Sequence, residues 1–257
     1  MTRASRAPFE FAGVLVKPGR AATGELPIPR LVTGTAVSLP VLILHGREEG
    51  PAVWISAAVH GDEIAGVEII RRVASRLDPR RLRGTVLSVP IVNVHGFVTG
   101  DRYLPDRRDL NRSFPGSPTG SLAGRIANAL MVEIVERCTI GIDLHTGSDH
   151  RSNLPQIRGD LDDSKTRDLA IAFGAPLILH AGVRDGSLRA AATDAGVTVL
   201  LFEGGEAWRF DEASIAVGTS GTLRVLSHLG MIDADDAPES TAPRESRSSS
   251  WIRARRS

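Results

Sequence analysis

Ala52-Val53-Trp54-Ile55-Ser56-Ala57-Ala58-Val59 runs without a break into His60-Gly61-Asp62-Glu63. The opening stretch is an apolar run of strand length, and from Glu63 to Leu77 the spacing becomes helical. Ile64, Val67, Ile70 and Val73 share one face, while Arg71, Arg72 and Arg76 take polar positions. A buried strand feeding a helix is the unit from which the rest of the chain can be read. Downstream, Thr85–Val92 predicts a second strand, 121–137 a helix, Ile140–Leu144 a short buried strand and Leu177–Leu179 another. Leu188–Ala195 then predicts a helix and Val197–Phe202 a continuous apolar strand, while upstream Ser38–Leu44 suits an edge or hairpin strand. Strands alternating with helices predict an α/β fold, a mostly parallel mixed sheet covered by helices on both faces.

The ends of the chain read differently. Residues 1–30 form an entry segment in which Pro8, Pro18, Pro27 and Pro29 limit regular structure, and 31–232 form the main domain. A long loop rich in Gly, Arg and Asp extends from Val92 to Gly116. From Asp233 to Ser250 the chain is rich in Asp, Ala, Pro, Glu and Ser and reads as a linker or disordered tail, after which Trp251–Arg256 resumes a strand-like pattern. Composition is ordinary for a globular protein, 42% hydrophobic and 24% charged. A formal charge of +1 gives no electrostatic reason to expect nucleic acid or an anionic membrane as partner. Lys17 and Lys165 are the only lysines, so positive charge is almost all arginine, the side chain suited to bidentate carboxylate contacts. With Cys138 as the only cysteine, no intrachain disulfide can form. Met1–Glu10 lacks the apolar core of a signal peptide and no later run could span a bilayer, so a cytoplasmic protein is expected.

Four features carry chemistry. His60-x-x-Glu63 lies where a strand should end, and zinc accepts both imidazole nitrogen and carboxylate oxygen. The competing reading is a helix N-terminus whose Asp62 and Glu63 complement the helix dipole. Asp143-Leu144-His145 ends another strand, and alternation puts Asp143 and His145 on one side, so the carboxylate can orient the imidazole. Both histidines fall at the carboxyl ends of strands, where parallel α/β sheets assemble ligand sites. Glu203 follows the Val197–Phe202 run, where an acid is costly unless solvated, paired or used; it could serve as general base towards activated water, or simply face solvent beside Gly204 and Gly205. Last, the loop from Arg102 to Gly116 holds Arg102, Arg107, Arg108, Asn111 and Arg112. Arginine can stabilise the oxyanion of amide hydrolysis, and an Arg beside an Asn can hold a carboxylate. Spacing does not choose among Arg102, Arg107 and Arg108 for the first role.

In this order His60-x-x-Glu63, Asp109-Leu110-Asn111-Arg112, Asp143-Leu144-His145 and Glu203 resemble the succinylglutamate desuccinylase/aspartoacylase family of carboxypeptidase-like zinc hydrolases, over roughly residues 30–230. The resemblance implies a zinc-carboxypeptidase-like (phosphorylase/hydrolase-like) architecture with 31–232 as the catalytic domain. It implies one Zn2+ per chain on His60, Glu63 and His145, with Glu203 as general base and Arg102 polarising the scissile carbonyl. Asn111 and Arg112 would hold a substrate carboxylate, with Asp109 and Asp143 supporting the metal-binding histidines. The implied activity is hydrolysis of the amide bond of an N-acylated amino acid or similar small carboxylate. A zinc carboxypeptidase or amidase acting on peptides, or a non-catalytic metal-binding remnant, is the alternative. The family also carries a β-rich C-terminal domain over the active-site entrance, and Trp251–Arg256 resembles its opening. A homo-oligomer is compatible with the sequence.

Overall fold

Val53, Trp54, Ile55 and Ala57 are fully buried, as an unbroken apolar run requires of a strand covered on both faces. The computed structural model describes residues 6–31, 33–239 and 242–250. Its elements are β1 (Phe9–Phe11), β2 (Val14–Val16), β3 (Arg20–Ile28), β4 (Val37–His45), β5 (Glu48–Ala57), α1 (Ala65–Arg76), β6 (Arg83–Val89) and α2 (Val94–Thr99). There follow α3 (Leu122–Glu133), β7 (Ile140–Gly147), β8 (Asn153–Gly159), α4 (Ser164–Phe173) and β9 (Leu177–His180). The chain then forms α5 (Leu188–Asp194), β10 (Thr198–Glu206), α6 (Glu212–His228) and β11 (Arg244–Ser246). β1 and β2 pair with each other, and the remaining strands form one sheet of nine in the order β11-β9-β8-β10-β7-β5-β6-β4-β3.

The central strands β10, β7, β5 and β6 are parallel, while β8 runs antiparallel to β10, and β3 and β4 close the other side antiparallel. Helices cover both faces. On one, Ile69, Ile70 and Val73 of α1, Phe173 of α4 and Leu223 and Leu226 of α6 pack on the sheet. On the other, Ile126 and Leu130 of α3, Leu188 and Ala192 of α5 and Phe11 of β1 do so. Ser121, Asp163, Ser187 and Asp211 cap α3, α4, α5 and α6, each side chain accepting a hydrogen bond from a first-turn N–H. No helix among the described residues is long and apolar enough to cross a membrane.

The mostly parallel, doubly covered sheet is the one expected, but both chain ends differ from their reading. The 1–30 segment holds β1, β2 and β3, and β3 pairs with β4 along its full length despite Pro27, because an edge strand can forgo one N–H. The hairpin expected at Ser38–Leu44 exists, with β4 also bonded to β6 and therefore not at an edge. Within the tail, Arg244–Ser246 extends the sheet beside β9; Trp251–Arg256 lies outside the described residues. The long loop contains α2, and the sequence reading passed over β8, α4 and α6. Thr, Ser and Gly interrupt the apolar period of α6, yet Gly218 and Gly221 are where Ile69 and Phe173 press against it.

Trp54 and Gly141 are cross-strand partners on β5 and β7, and a Cβ at Gly141 would sit 2.2 Å from the indole. The ring is buried and cannot retreat. Gly141→Ala should therefore cost about 1–3 kcal/mol in urea unfolding, and less in a Trp54→Phe background. Equal costs in both backgrounds would show that this contact does not set the packing.

Candidate active site

β5, β7 and β10 lie side by side and parallel, so their carboxyl ends open at one edge of the sheet, where such sheets place ligands. His60 and Glu63 follow β5, His145 lies near the end of β7, and Glu203, its Cα partner, near the end of β10. Just past β5, Ala58 adopts φ 49°, a left-handed conformation that costs a non-glycine residue about 1–2 kcal/mol. α1 starts from Ile64 with no side-chain cap, and Glu63 turns its carboxylate inward instead.

Glu63 is the hub. Its Oε1 lies 2.6 Å from His60 Nδ1 and its Oε2 2.8 Å from His145 Nδ1, and Oε2 also accepts the Thr146 N–H. Arg102 Nη1 donates to Oε1 at 3.1 Å. Each imidazole is held from behind by a second carboxylate. His145 Nε2 meets Asp143 Oδ2 at 2.8 Å, while Asp143 Oδ1 accepts the Ser56 hydroxyl at 2.6 Å. His60 Nε2 faces Asp109 Oδ1 at 3.3 Å and Arg102 Nη2 at 2.8 Å. The ligand atoms of His60, Glu63 and His145 all lie within 4.8 Å of one another, and the three side chains are buried. Such a group could hold a metal ion.

Burial alone would raise the Glu63 pKa, but His60 and then His145 outweigh it and hold this carboxyl well below the usual range. Burial would lower the His145 pKa, yet Asp143 and Glu63 reverse it and hold the imidazole well above its ordinary value of 6.5. Glu203 moves upward: burial dominates, only partly offset by His145, Arg158 and its Asn153 hydrogen bond.

These groups open on a cavity of about 280 Å³ lined by Arg102, Asn111, Arg112 and Glu203. Arg107 and Arg108 are exposed and do not line it, so of the three arginines Arg102 is the one placed at the site. Asn111 Oδ1 accepts the Leu188 N–H at 2.8 Å, and its amide nitrogen has no hydrogen-bond partner among the described residues. Asp109 caps the next turn through the Asn111 N–H, and the Phe114 N–H bonds Gly186 carbonyl oxygen, fastening the 109–114 loop to the segment before α5. His60, Glu63, Arg102, Asp109, Asn111, Arg112, Asp143, His145 and Glu203 are thus brought together and Arg107 and Arg108 are not, with Asp62 left as a buried carboxylate whose Oδ1 has no partner among the described residues. The sequence reading missed Ser56, hidden as one hydroxyl in an apolar run. It also missed Asn153 and Arg158 on β8, a strand that showed no clean alternation, and Arg184 and Arg189, which lie before and on α5.

Residues 49–229 match the succinylglutamate desuccinylase/aspartoacylase catalytic domain. The chain belongs to this family. A family relative from Halomonas elongata, N-alpha-acetyl-L-2,4-diaminobutyric acid deacetylase, is 30% identical over 78% of this chain and 60% of its own length. The chain thus spans less than two thirds of that relative. Among solved family structures, a succinylglutamate desuccinylase/aspartoacylase from Rhodobacter sphaeroides superposes with TM-score 0.81 at 28% identity, covering 90% of this chain and 73% of the other. A metallo-carboxypeptidase from Burkholderia cenocepacia shares the fold at TM-score 0.62 and 20% identity, covering 82% of this chain and 65% of the other.

The His145–Asp143 pair should contribute to stability in a pH-dependent way. Because His145 is held above 6.5, the pair's stabilisation is complete below that pH and is lost as pH rises through the folded-state value. In the chelator-treated chain, Asp143→Asn should cost on the order of 3 kcal/mol near pH 6 and progressively less at alkaline pH. A cost independent of pH in urea titrations would exclude a charged pair.

Proposed function

We propose that the chain is a zinc-dependent amide hydrolase that removes the acyl group from a small N-acylated amino acid. The observation that carries this reading is a buried His60–Glu63–His145 group opening on the same cavity as Glu203 and Arg102. The donor set fits zinc: two imidazoles and one carboxylate leave a coordination position open, and each imidazole is backed by an acid that fixes its ring. A zinc ion held there supplies Lewis acidity and acidifies water at neutral pH.

The remaining work falls to side chains. Asn111, with its amide nitrogen free, and Arg112 bind the substrate carboxylate and fix the register of the amide. Arg102, beside His60 and Glu63, takes the carbonyl oxygen as negative charge builds on it. Glu203 accepts the proton of the attacking water as the oxygen bonds to the carbonyl carbon. It then delivers that proton to the departing amine as the C–N bond breaks. Burial pushes its pKa up, toward the range where a carboxyl can exchange protons near neutral pH.

Charge narrows the substrate. Arg102, Arg112, Arg151, Arg158, Arg184 and Arg189 line the cavity, against only Glu63 and Glu203 among acids. We infer a preference for N-acyl amino acids with acidic rather than basic side chains.

Purified chain should hold about one zinc, and His60→Ala should lose it. Glu203→Gln should keep the metal while kcat falls about 10²–10⁴-fold; unchanged turnover would remove Glu203 from the role of base. In a panel of N-acetyl amino acids and short peptides, the aspartate and glutamate derivatives should give the highest kcat/KM, and equal rates on the diaminobutyrate derivative would overturn the charge argument.

A further inference from the structure

Glu203 is placed by the main chain, but its carboxylate is turned by a neighbour. The pairing of β10 shifts register just beyond Glu203, against β7 and against β8 alike, so the strand bulges at Gly204–Gly205. Across that bulge Gly205 is the partner of Asn153, the first residue of β8. From there Asn153 Nδ2 donates to Glu203 Oε2 at 2.7 Å. Among the described residues, no hydrogen bond or ion pair reaches Oε1. We propose that Asn153 is a positioning residue for the general base: it captures Oε2 and leaves Oε1 as the proton-accepting oxygen facing the cavity. The inference rests on the role of Glu203 given above.

Three observations support it beyond the single bond. Asn153 pairs with Gly205 of β10, and the strand it opens is paired on its other side to β9 from Gln156 to Gly159, so Asn153 is carried by a strand end rather than by a free loop. The turn before it is seated against β7, because a Cβ at Gly147 would lie 1.9 Å from the Arg151 carbonyl oxygen. Finally, the polarity is matched. A carboxylate accepts and an amide nitrogen donates, whereas an acid at 153 would set a second negative charge against Glu203 in a site that burial already makes unfavourable for one. A carboxylate free to rotate would share its time between a productive orientation and others, and small misplacements of a reacting group lower rate without altering binding.

The experiment compares Asn153→Ala, Asn153→Asp and Asn153→Ser with Glu203→Gln on the best N-acetyl amino acid from the panel, alongside zinc content and a crystal structure of Asn153→Ala. Loss of a hydrogen bond to a charged group should lower kcat about 10–150-fold in Asn153→Ala with KM and zinc content little changed. The isosteric Asn153→Asp, which keeps shape but loses the donor, should be at least as impaired. Asn153→Ser, which keeps a donor, should recover part of the rate, and Glu203 should occupy more than one rotamer in the Asn153→Ala crystal. A fully active Asn153→Asp, or a loss confined to KM, would overturn the proposal. If Glu203→Gln is itself active, the general-base reading fails first. If Glu203→Gln is inactive while Asn153→Ala keeps wild-type kcat, the positioning role alone is refuted.

Discussion

A carboxylate as buried as Glu63 cannot stand alone, and most of the site follows from that constraint. Removing one ionised carboxyl from water costs several kcal/mol even after relaxation, and attraction to partners recovers it only when geometry is good and the remaining lone pairs are used. Glu63 uses both oxygens on imidazoles and adds a backbone N–H and a guanidinium. The imidazoles are in turn buried cations or ligands that need acids of their own, which Asp143 and Asp109 provide. Charge therefore propagates outward in alternating sign from Glu63 to histidine to aspartate, and ends at neutral donors such as Ser56. Such a network is stable when complete and fails when any member is left unpaired.

The sheet makes the network possible. Strands β5, β7 and β10 run parallel, and their carboxyl ends put His60, His145 and Glu203 at one edge without long connections. Two local rules are broken there. α1 gives up a side-chain cap because Glu63 is turned inward, and Ala58 carries a left-handed backbone. Elsewhere Ser121, Asp163 and Asp211 cap their helices as ordinary propensity would have it. A helix start without a cap and a left-handed alanine beside buried ligating side chains are the kind of local compromise a functional site imposes.

Those differences explain what could be read in advance. The 52–77 stretch was legible because an apolar run of strand length and a helical period are set by burial on both faces, which composition records directly. His60, Glu63, His145 and Glu203 were legible because polar residues at the ends of such runs stand out. β8 was not: it has Pro155 within it and polar residues facing the cavity, so it shows neither alternation nor a continuous apolar run. α6 was hidden for the opposite reason, since Gly218 and Gly221 weaken helix propensity while allowing close packing on Ile69 and Phe173. Arg102 could be separated from Arg107 and Arg108 only in three dimensions, by which guanidinium reaches Glu63. Propensity records local energy, and these choices were made by tertiary contacts.

The cavity's positive charge has a physical consequence of its own. Arg189 is buried and donates to the Ala181 and Gly182 carbonyl oxygens, with its pKa lowered by burial and by the nearby cations Arg158 and Arg184. Among the described residues, neither Arg158 nor Arg184 has a carboxylate within ion-pair distance. Guanidiniums held close together, with only partial compensation from Glu203, Asp143 and Asp160, raise the energy of the empty cavity. An anion entering it relieves that repulsion and forms charge-assisted hydrogen bonds in the same step, with the donors already in place. A cation entering the same space would add to the repulsion. Selection by charge would then come from a cost imposed on the wrong substrate as much as from contacts offered to the right one.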